Sequence, residues 1–471
     1  MKIQFLGATD GEVTGSRNLL TFPSGLKILV DIGLMQGSEG KFEEVLKRNG
    51  REFEFDVTSI DYVVITHGHV DHNALLPLLI KRGFKGKVIA TAPTGGFAAI
   101  SLPDSAKIMA SDILRANKVR PVNKLEALYS EDDAVNAVSQ IQCYSYNTEI
   151  VLDDETTLEL KCAGHMLGAA MPLFTYKEGN KVRRFLCTGD TSAKTEMHPF
   201  LKVADDIGDV DYILCESTYG DRVHVKVDPL EVLERSVRET CLENGKTLVI
   251  PVFAMQRSSE ILWLLREIYM TDREFHRIPI FLDSPMAIKA QSVIDDNRDY
   301  WGEDWIERDN GLGNIFDFEV IQYIDNYKDS LALANGHPKI ILSSSGMCNA
   351  GRILNHLESF LPSKGCKILF TGYQAEGTLG RRIVDQNQKS ISVNRRQVTI
   401  RAEIEQMSFS SHADKNQLVE FIKTSQKGKL KKVFLNHGSL EACNSLQDEL
   451  QGHLKNVEII TPQCGEEFNL K

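Results

Sequence analysis

The chain has 471 residues, 42% of them hydrophobic and 25% charged, and a formal net charge of −11. That length exceeds one ordinary hydrophobic core, so two domains or one elaborated domain are expected, and the composition excludes a low-complexity or disordered chain. The acidic balance argues against a generally basic nucleic-acid-binding surface, although a local site can carry the opposite sign to the whole.

The opening Met1-Lys2-Ile3-Gln4-Phe5-Leu6-Gly7 turns to Gly and Asp before a signal-peptide core can form, and no apolar run is long enough to span a bilayer. A cytoplasmic location without a membrane partner is therefore expected. In chain order, Lys27-Ile28-Leu29-Val30 reads as a strand ending at Asp31, and Tyr62-Val63-Val64-Ile65-Thr66 as a buried strand. The loop that follows, His67-Gly68-His69-Val70-Asp71-His72, packs four potential metal ligands into six residues. Histidines at i and i+2 point to opposite sides of a strand and cannot share a helix face, but a turn containing Gly68 can aim both at one ion. Asp71 and His72 lie beyond the turn and can reach a second ion. Helical spacing runs from Leu75 to Lys81. Further strands end at Gly189-Asp190 (Phe185 to Thr188) and at Glu216 (Tyr212 to Cys215).

Helical spacing returns from Glu231 to Cys241, and the region from about 216 to 400 reads as a second unit. Its strands are expected at Thr247 to Phe253, Ile278 to Leu282, Lys339 to Ser343 and Cys366 to Thr371. A helix is expected from Asn416 to Ile422, and a last strand, Val433 to Asn436, ends at His437. The recurring layout of an apolar strand followed by an acid or histidine is that of a layered α/β protein, whose active-site rim lies beyond the carboxyl ends of its strands. Nine cysteines scattered singly, several inside apolar runs (Cys162, Cys187, Cys215), indicate neither a disulfide framework nor a cysteine-type zinc site. Three more segments supply ligand types: Ala163-Gly164-His165, Gly189-Asp190, and Asn436-His437-Gly438. Any one of them alone is more often a structural hydrogen-bonder.

Together these motifs resemble the metallo-beta-lactamase superfamily, and nearly the whole chain resembles its beta-CASP branch of nucleic-acid-processing nucleases. The resemblance is carried by Gly11-Glu12-Val13-Thr14-Gly15-Ser16, Glu216-Ser217-Thr218-Tyr219-Gly220, Phe253-Ala254-Met255-Gln256-Arg257-Ser258, Asp283-Ser284-Pro285-Met286-Ala287, Ser345-Gly346-Met347, Gly372-Tyr373-Gln374-Ala375-Glu376-Gly377-Thr378 and Ser408-Phe409-Ser410-Ser411-His412-Ala413-Asp414, in the branch's order. It implies an α/β fold, an αββα metallo-beta-lactamase sandwich (1–215 and 401–471) interrupted by an α/β beta-CASP domain (216–400). It also implies two zinc ions, one held by His67, His69 and His165, the other by Asp71, His72 and His437, with Asp190 as the bridge and Asp31 orienting a ligating histidine. Arg17 after the Gly-Ser pair and His198-Pro199 depart from the branch's pattern without touching a ligand.

The reaction implied is hydrolysis of an RNA phosphodiester by a metal-bridging hydroxide, with Asp71 and Asp190 in the catalytic centre, His412 as general acid and Glu216 as the carboxylate that holds it protonated. Two divalent ions bring four positive charges, and two carboxylates and a hydroxide remove three, so an anionic substrate is favoured despite the acidic chain. Branch members acting on RNA resemble this chain in having a histidine at the position of His437, which favours single-stranded RNA over DNA. Arg257, Ser284, Ser345, Gly346, Met347, Tyr219 and Gln374 resemble substrate-contacting positions, with helix capping and packing as the competing role. Branch members are often dimers, so a homodimer is the expected assembly. Two alternatives stay open on sequence: a hydrolase of a small thioester or lactam on the same metal domain, and a catalytically silent RNA-processing subunit.

Overall fold

Strands such as Ile28, Leu29 and Val30, apolar at successive positions, must be covered on both faces. In the computed structural model all three are buried: Ile28 and Val30 face the interior of a sandwich, and Leu29 faces a helical layer that includes Leu75 to Leu79, Ala98 and Leu102. The structure describes residues 1–36, 42–118, 120, 122–192, 203–205, 207–225, 227–303, 306–307, 316, 318–336, 338–375, 377–407, 409–425 and 428–470. His198-Pro199, Glu376 and Ser408 lie outside them.

The chain divides into two compact units, the first comprising 1–36, 42–223 and 411–471 of the described residues, and the second comprising 224–303, 306–307, 316 and 318–410 less the positions not described. The divisions fall after Val223 and Ser410 rather than after 215 and 400. The Glu216–Gly220 segment stays with the first unit because Tyr219 bridges Asp414 there, whereas the strand Glu403–Gln406 pairs with Lys367–Phe370 in the second.

The first unit holds two seven-stranded sheets. One runs in the order Glu467–Asn469, Lys2–Gly7, Arg17–Thr21, Lys27–Val30, Tyr62–Val64, Lys87–Ala90, Ile141–Cys143. The other runs Glu458–Ile460, Lys432–Asn436, Tyr212–Glu216, Lys181–Cys187, Ala170–Glu178, Thr156–Cys162, Ile150–Val151. Between them lies a core to which Phe5, Leu20, Val30 and Val64 contribute from one sheet and Leu158, Phe174, Phe185 and Phe434 from the other. Tyr212–Glu216 is parallel to both of its neighbours, and Tyr62–Val64 to both of its own. The last segment of chain adds strands to both sheets: Lys432–Asn436 and then Glu458–Ile460 beside Tyr212–Glu216, and Glu467–Asn469 antiparallel to the first strand.

The second unit is built on a six-stranded, wholly parallel sheet in the order Ile321–Tyr323, Ile280–Asp283, Lys339–Ser343, Thr247–Pro251, Lys367–Phe370, Glu403–Gln406. Every residue of its two central strands is buried, as expected of strands covered by helices on both faces. At the end of one strand the fully buried Asp283 accepts hydrogen bonds from His356 Nε2 (2.6 Å), Ser330 Oγ (2.5 Å) and Arg352 Nη1 (2.7 Å). Burial alone raises this carboxyl's pKa, and those bonds outweigh it and hold it below the ordinary 3.8. Among the described residues no helix is long and apolar enough to cross a membrane.

Removing one member of a buried, hydrogen-bonded charge cluster leaves its partners unpaired, so Asp283→Asn is expected to destabilise the second unit by about 3–5 kcal/mol, read from urea unfolding of the whole chain. Because the folded-state pKa is depressed, the wild-type advantage is present above 3.8 and shrinks as pH falls below it. A gap between the two proteins that stays constant down the acid limb would count against this role.

Candidate metal centre

The carboxyl ends of the first unit's parallel strands deliver their polar residues to one edge. Asp31 follows Lys27–Val30 in a left-handed backbone conformation (φ +62°). Its carboxylate accepts hydrogen bonds from the Thr66 amide (2.8 Å), Thr66 Oγ1 (3.0 Å) and Ser16 Oγ (3.2 Å), and it lies 2.7 Å from His72 Nδ1. With Nδ1–H donated to Asp31, the lone pair of His72 Nε2 turns inward.

The inward nitrogens crowd together. His69 Nδ1 lies 3.0 Å from His67 Nε2 and 3.2 Å from His165 Nε2, and His72 Nε2 lies 3.1 Å from His437 Nε2. Two nitrogens on one tetrahedral zinc, at bond lengths of about 2.0–2.1 Å, stand roughly 3.3 Å apart. Asp190 is buried between the two groups. Its Oδ2 is 3.5 Å from His67 and 3.7 Å from His165, while its Oδ1 is 3.3 Å from His72 and 3.4 Å from His437. Asp71 Oδ2 lies 3.7 Å from His437 Nε2. These seven side chains fall into two ligand-compatible groups, His67, His69, His165 and Asp190, and Asp71, His72 and His437. Asp190 Oδ1 has no hydrogen-bond partner. A buried carboxylate oxygen left so would be costly without a cation beside it, so the residues fit a paired metal site with Asp190 as the shared ligand.

Electrostatics separate the groups. Burial pushes His67, His69 and His165 below the ordinary imidazole range, with neighbouring histidines adding to it; all three are therefore neutral, the form that binds metal. Burial also opposes charge on His72 and His437, but Asp190 with Asp31 outweighs it at the first, and Asp190 with Asp71 at the second, raising both. Asp190 is held well below the carboxylate range, because His437, His72 and His67 outweigh its burial. The centre thus has a strong appetite for positive charge.

His412 stands at the rim, about one-fifth exposed, its ring 4.5 Å from that of His165. Its Nδ1 is 2.9 and 3.1 Å from the two oxygens of Glu216, which also accepts the Thr191 amide at 2.6 Å. Burial lowers the pKa of this imidazole, but the charge and hydrogen bonding of Glu216, then Asp190 and Asp71, raise it to about 9. With Nδ1 turned to Glu216, Nε2 faces the centre, 3.9 Å from Asp190 Oδ2. Tyr219 is buried with its ring edge-on to His412 (centroids 6.0 Å apart) and Arg222 over its face.

In the second unit the expected substrate-contacting groups are engaged internally. Arg257 is buried, its Nη1 2.6 Å from Glu260 and its guanidinium 4.0 Å over the Phe409 ring. Ser284 is the buried cap of the helix Pro285–Asp296, accepting the Ala287 amide. Gln374 is buried and donates to the carbonyls of Gly346, Tyr373 and Gly372. In the Ser345-Gly346-Met347 turn, Ser345 Oγ bonds the Ala350 carbonyl and Met347 accepts the Gly380 amide. A Cβ on Gly346 would sit 2.8 Å from the Phe253 ring. These contacts are compatible with capping and packing and do not test contact with a substrate. Thr66 was not singled out from sequence, although its Oγ1 also lies 3.1 Å from His67 Nδ1; its signal was its place between the strand and the first ligand.

A two-sheet sandwich carrying such a ligand cluster at its strand ends, interrupted by a parallel α/β unit, defines a metallo-hydrolase. Residues 19–95 match the metallo-beta-lactamase superfamily, 258–383 the Beta-Casp domain, and 397–462 the Zn-dependent metallo-hydrolase RNA specificity domain. The chain is 30% identical to a ribonuclease of Thermus thermophilus over 99% of both proteins. It is also 30% identical to the transcription termination factor FttA of Cenarchaeum symbiosum over 89% of this chain, and 28% identical to cleavage and polyadenylation specificity factor subunit 3 of Dictyostelium discoideum over 96% of it. It spans 64% and 55% of the lengths of those two relatives. The chain belongs to the beta-CASP family of metallo-beta-lactamase-fold hydrolases.

Loss of a carboxylate that orients a ligating histidine costs about 10–100-fold in metal affinity. Asp31→Ala is expected to weaken binding of a divalent metal by that amount in chelator competition. Unchanged affinity would restrict Asp31 to shaping the turn after its strand.

Proposed function

We propose that this chain is a zinc-dependent ribonuclease that hydrolyses phosphodiester bonds of single-stranded RNA, with His412 as the proton donor. The observation that carries the reading is the geometry around Asp190: two converging ligand groups share it, and a carboxylate-held histidine presents its second nitrogen to the same point. RNA as substrate is supported by the RNA specificity domain matched over 397–462 and by a relative named as a ribonuclease that aligns along nearly its whole length. His437, present where RNA-acting members of the family have histidine, agrees with it.

Divalent ions held by the two groups supply Lewis acidity, lowering the pKa of water toward 7 and offsetting charge that develops on phosphoryl oxygens. The protein supplies the rest. Asp31 and Thr66 fix His72 and His67 so that the ligand nitrogens are in place before substrate arrives. Glu216 keeps the proton on His412 at neutral pH and aims Nε2–H at the centre, where it reaches the oxygen that departs from phosphorus. Without that proton the leaving group would be an alkoxide, so the donor matters most in bond breaking.

Purified protein is expected to cut labelled single-stranded RNA in preference to DNA of the same sequence, and to lose that activity to a chelator; metal-independent cutting would overturn the reading. His412→Ala is expected to lower the cleavage rate about 10²–10⁴-fold while zinc content is unchanged. Activity that needs protonated His412 falls as pH rises through its pKa. Glu216→Gln removes the charge that raises it, so the alkaline limb of the rate profile should move down by about 1–3 pH units. A profile whose alkaline limb stays in place would separate Glu216 from the proton donor.

A further inference from the structure

Glu216 is followed by Ser217 and Thr218, and Thr218 belongs to neither ligand group. Its Oγ1 lies 3.1 Å from the carbonyl oxygen of His437 and 3.3 Å from His437 Nδ1. A hydroxyl has one proton and two lone pairs. If the proton goes to the carbonyl, the oxygen is left as an acceptor toward the ring, and Nδ1 must then carry hydrogen. That choice puts the lone pair on Nε2, the nitrogen 3.1 Å from His72 Nε2 and 3.7 Å from Asp71.

The competing arrangement is close at hand. His437 Nδ1 is also 3.4 Å from Asp190 Oδ1, the oxygen of the shared carboxylate that faces the second group, yet that oxygen has no hydrogen-bond partner. Thr218 therefore draws the Nδ1 proton away from the bridge and leaves Oδ1 open. The backbone around it is built for close approach. His437 sits in the left-handed region (φ +54°), its amide donates to Ala8 O at 2.8 Å, and the Ser217 amide points at its carbonyl at 3.4 Å. A Cβ on Gly438 would stand 2.5 Å from the Ser217 carbonyl, so only glycine lets the two loops meet. Parallel pairing of Glu216 with Asn436 sets the register that brings Thr218 over His437.

We propose that Thr218 is a positioning residue of the second ligand group: it fixes His437 in the Nδ1–H tautomer, with Nε2 as the ligand atom, and keeps Asp190 Oδ1 open toward that group. Two residues of one three-residue stretch then orient His412 and His437, Glu216 through the Nδ1 of His412 and Thr218 through the Nδ1 of His437. The inference rests on the metal reading given above, and its test reads metal and tautomer rather than turnover.

Zinc titration against a chelator should find two equivalents in the wild-type protein, the second weakened about 10–100-fold in Thr218→Val and preserved in Thr218→Ser, with the first equivalent unchanged in both. Nitrogen NMR of the zinc-loaded, histidine-labelled wild-type chain should show His437 protonated at Nδ1 and metal-bound at Nε2, and this measurement decides even where Thr218→Val fails to fold. Zinc on Nδ1 of His437, or a second equivalent held as tightly by Thr218→Val as by the wild type, would overturn the role of Thr218 and leave the metal reading standing. A wild-type chain that takes up no zinc would overturn both.

Discussion

A buried carboxylate, Asp190, stands between two clusters of imidazole nitrogens, and it is the charge of those rings rather than a hydrogen-bond donor that meets its Oδ1. Its Oδ1 accepts no hydrogen bond although His72 and His437 stand beside it, and its Oδ2 faces His67 and His165. Five aromatic nitrogens at separations of 3.0–3.2 Å are an unstable arrangement without something positive in their midst. Most of what is unusual in the first unit follows from keeping that arrangement in place. Asp31 and His437 take left-handed backbone conformations at the ends of their strands, and Thr66 divides its hydroxyl among a carboxylate and two rings. The two-sheet sandwich is the scaffold that holds these loops still.

Much of the fold was legible because burial writes itself into strand composition. The strands expected at 27–30 and 339–343 appear with those limits, and the helix expected from Asn416 to Ile422 appears as Lys415–Thr424. The helix expected from Glu231 to Cys241 appears as Pro229–Val237 and continues, more loosely wound, through Arg238–Glu243. The helix Ala92–Asn117 was hidden. It opens on Ala-Pro-Thr-Gly-Gly and contains Pro103, signals that ordinarily end a helix, and it forms because Thr91 caps it and its buried face packs under the first sheet.

The ligands of the centre were legible for a different reason: histidine and aspartate at strand ends, in such density, have few other uses. The groups that orient them were not, because threonine and serine are common in loops and their roles depend on which partner the fold delivers. Residues of the second unit show the same limit from the other side. Arg257 resembles a phosphate-contacting arginine, and the fold adds Glu260, one helical turn along, and Phe409 as its partners. Charge partners at i+3 are visible in sequence; a ring from 152 positions away is not.

The late strands of the first unit set an order of assembly. His67, His69, His165 and Asp190 all lie before the long insertion, and the sheet edge that carries His437 is added by a strand whose ring partner, His72, was made 365 residues earlier. A growing polypeptide thus possesses its first cluster of ligands and two of the three members of the second, Asp71 and His72, while it still lacks His437 and His412. Under the proposed activity, a ribosome translating this message carries a nascent chain that is chemically incomplete until the insertion has been synthesised.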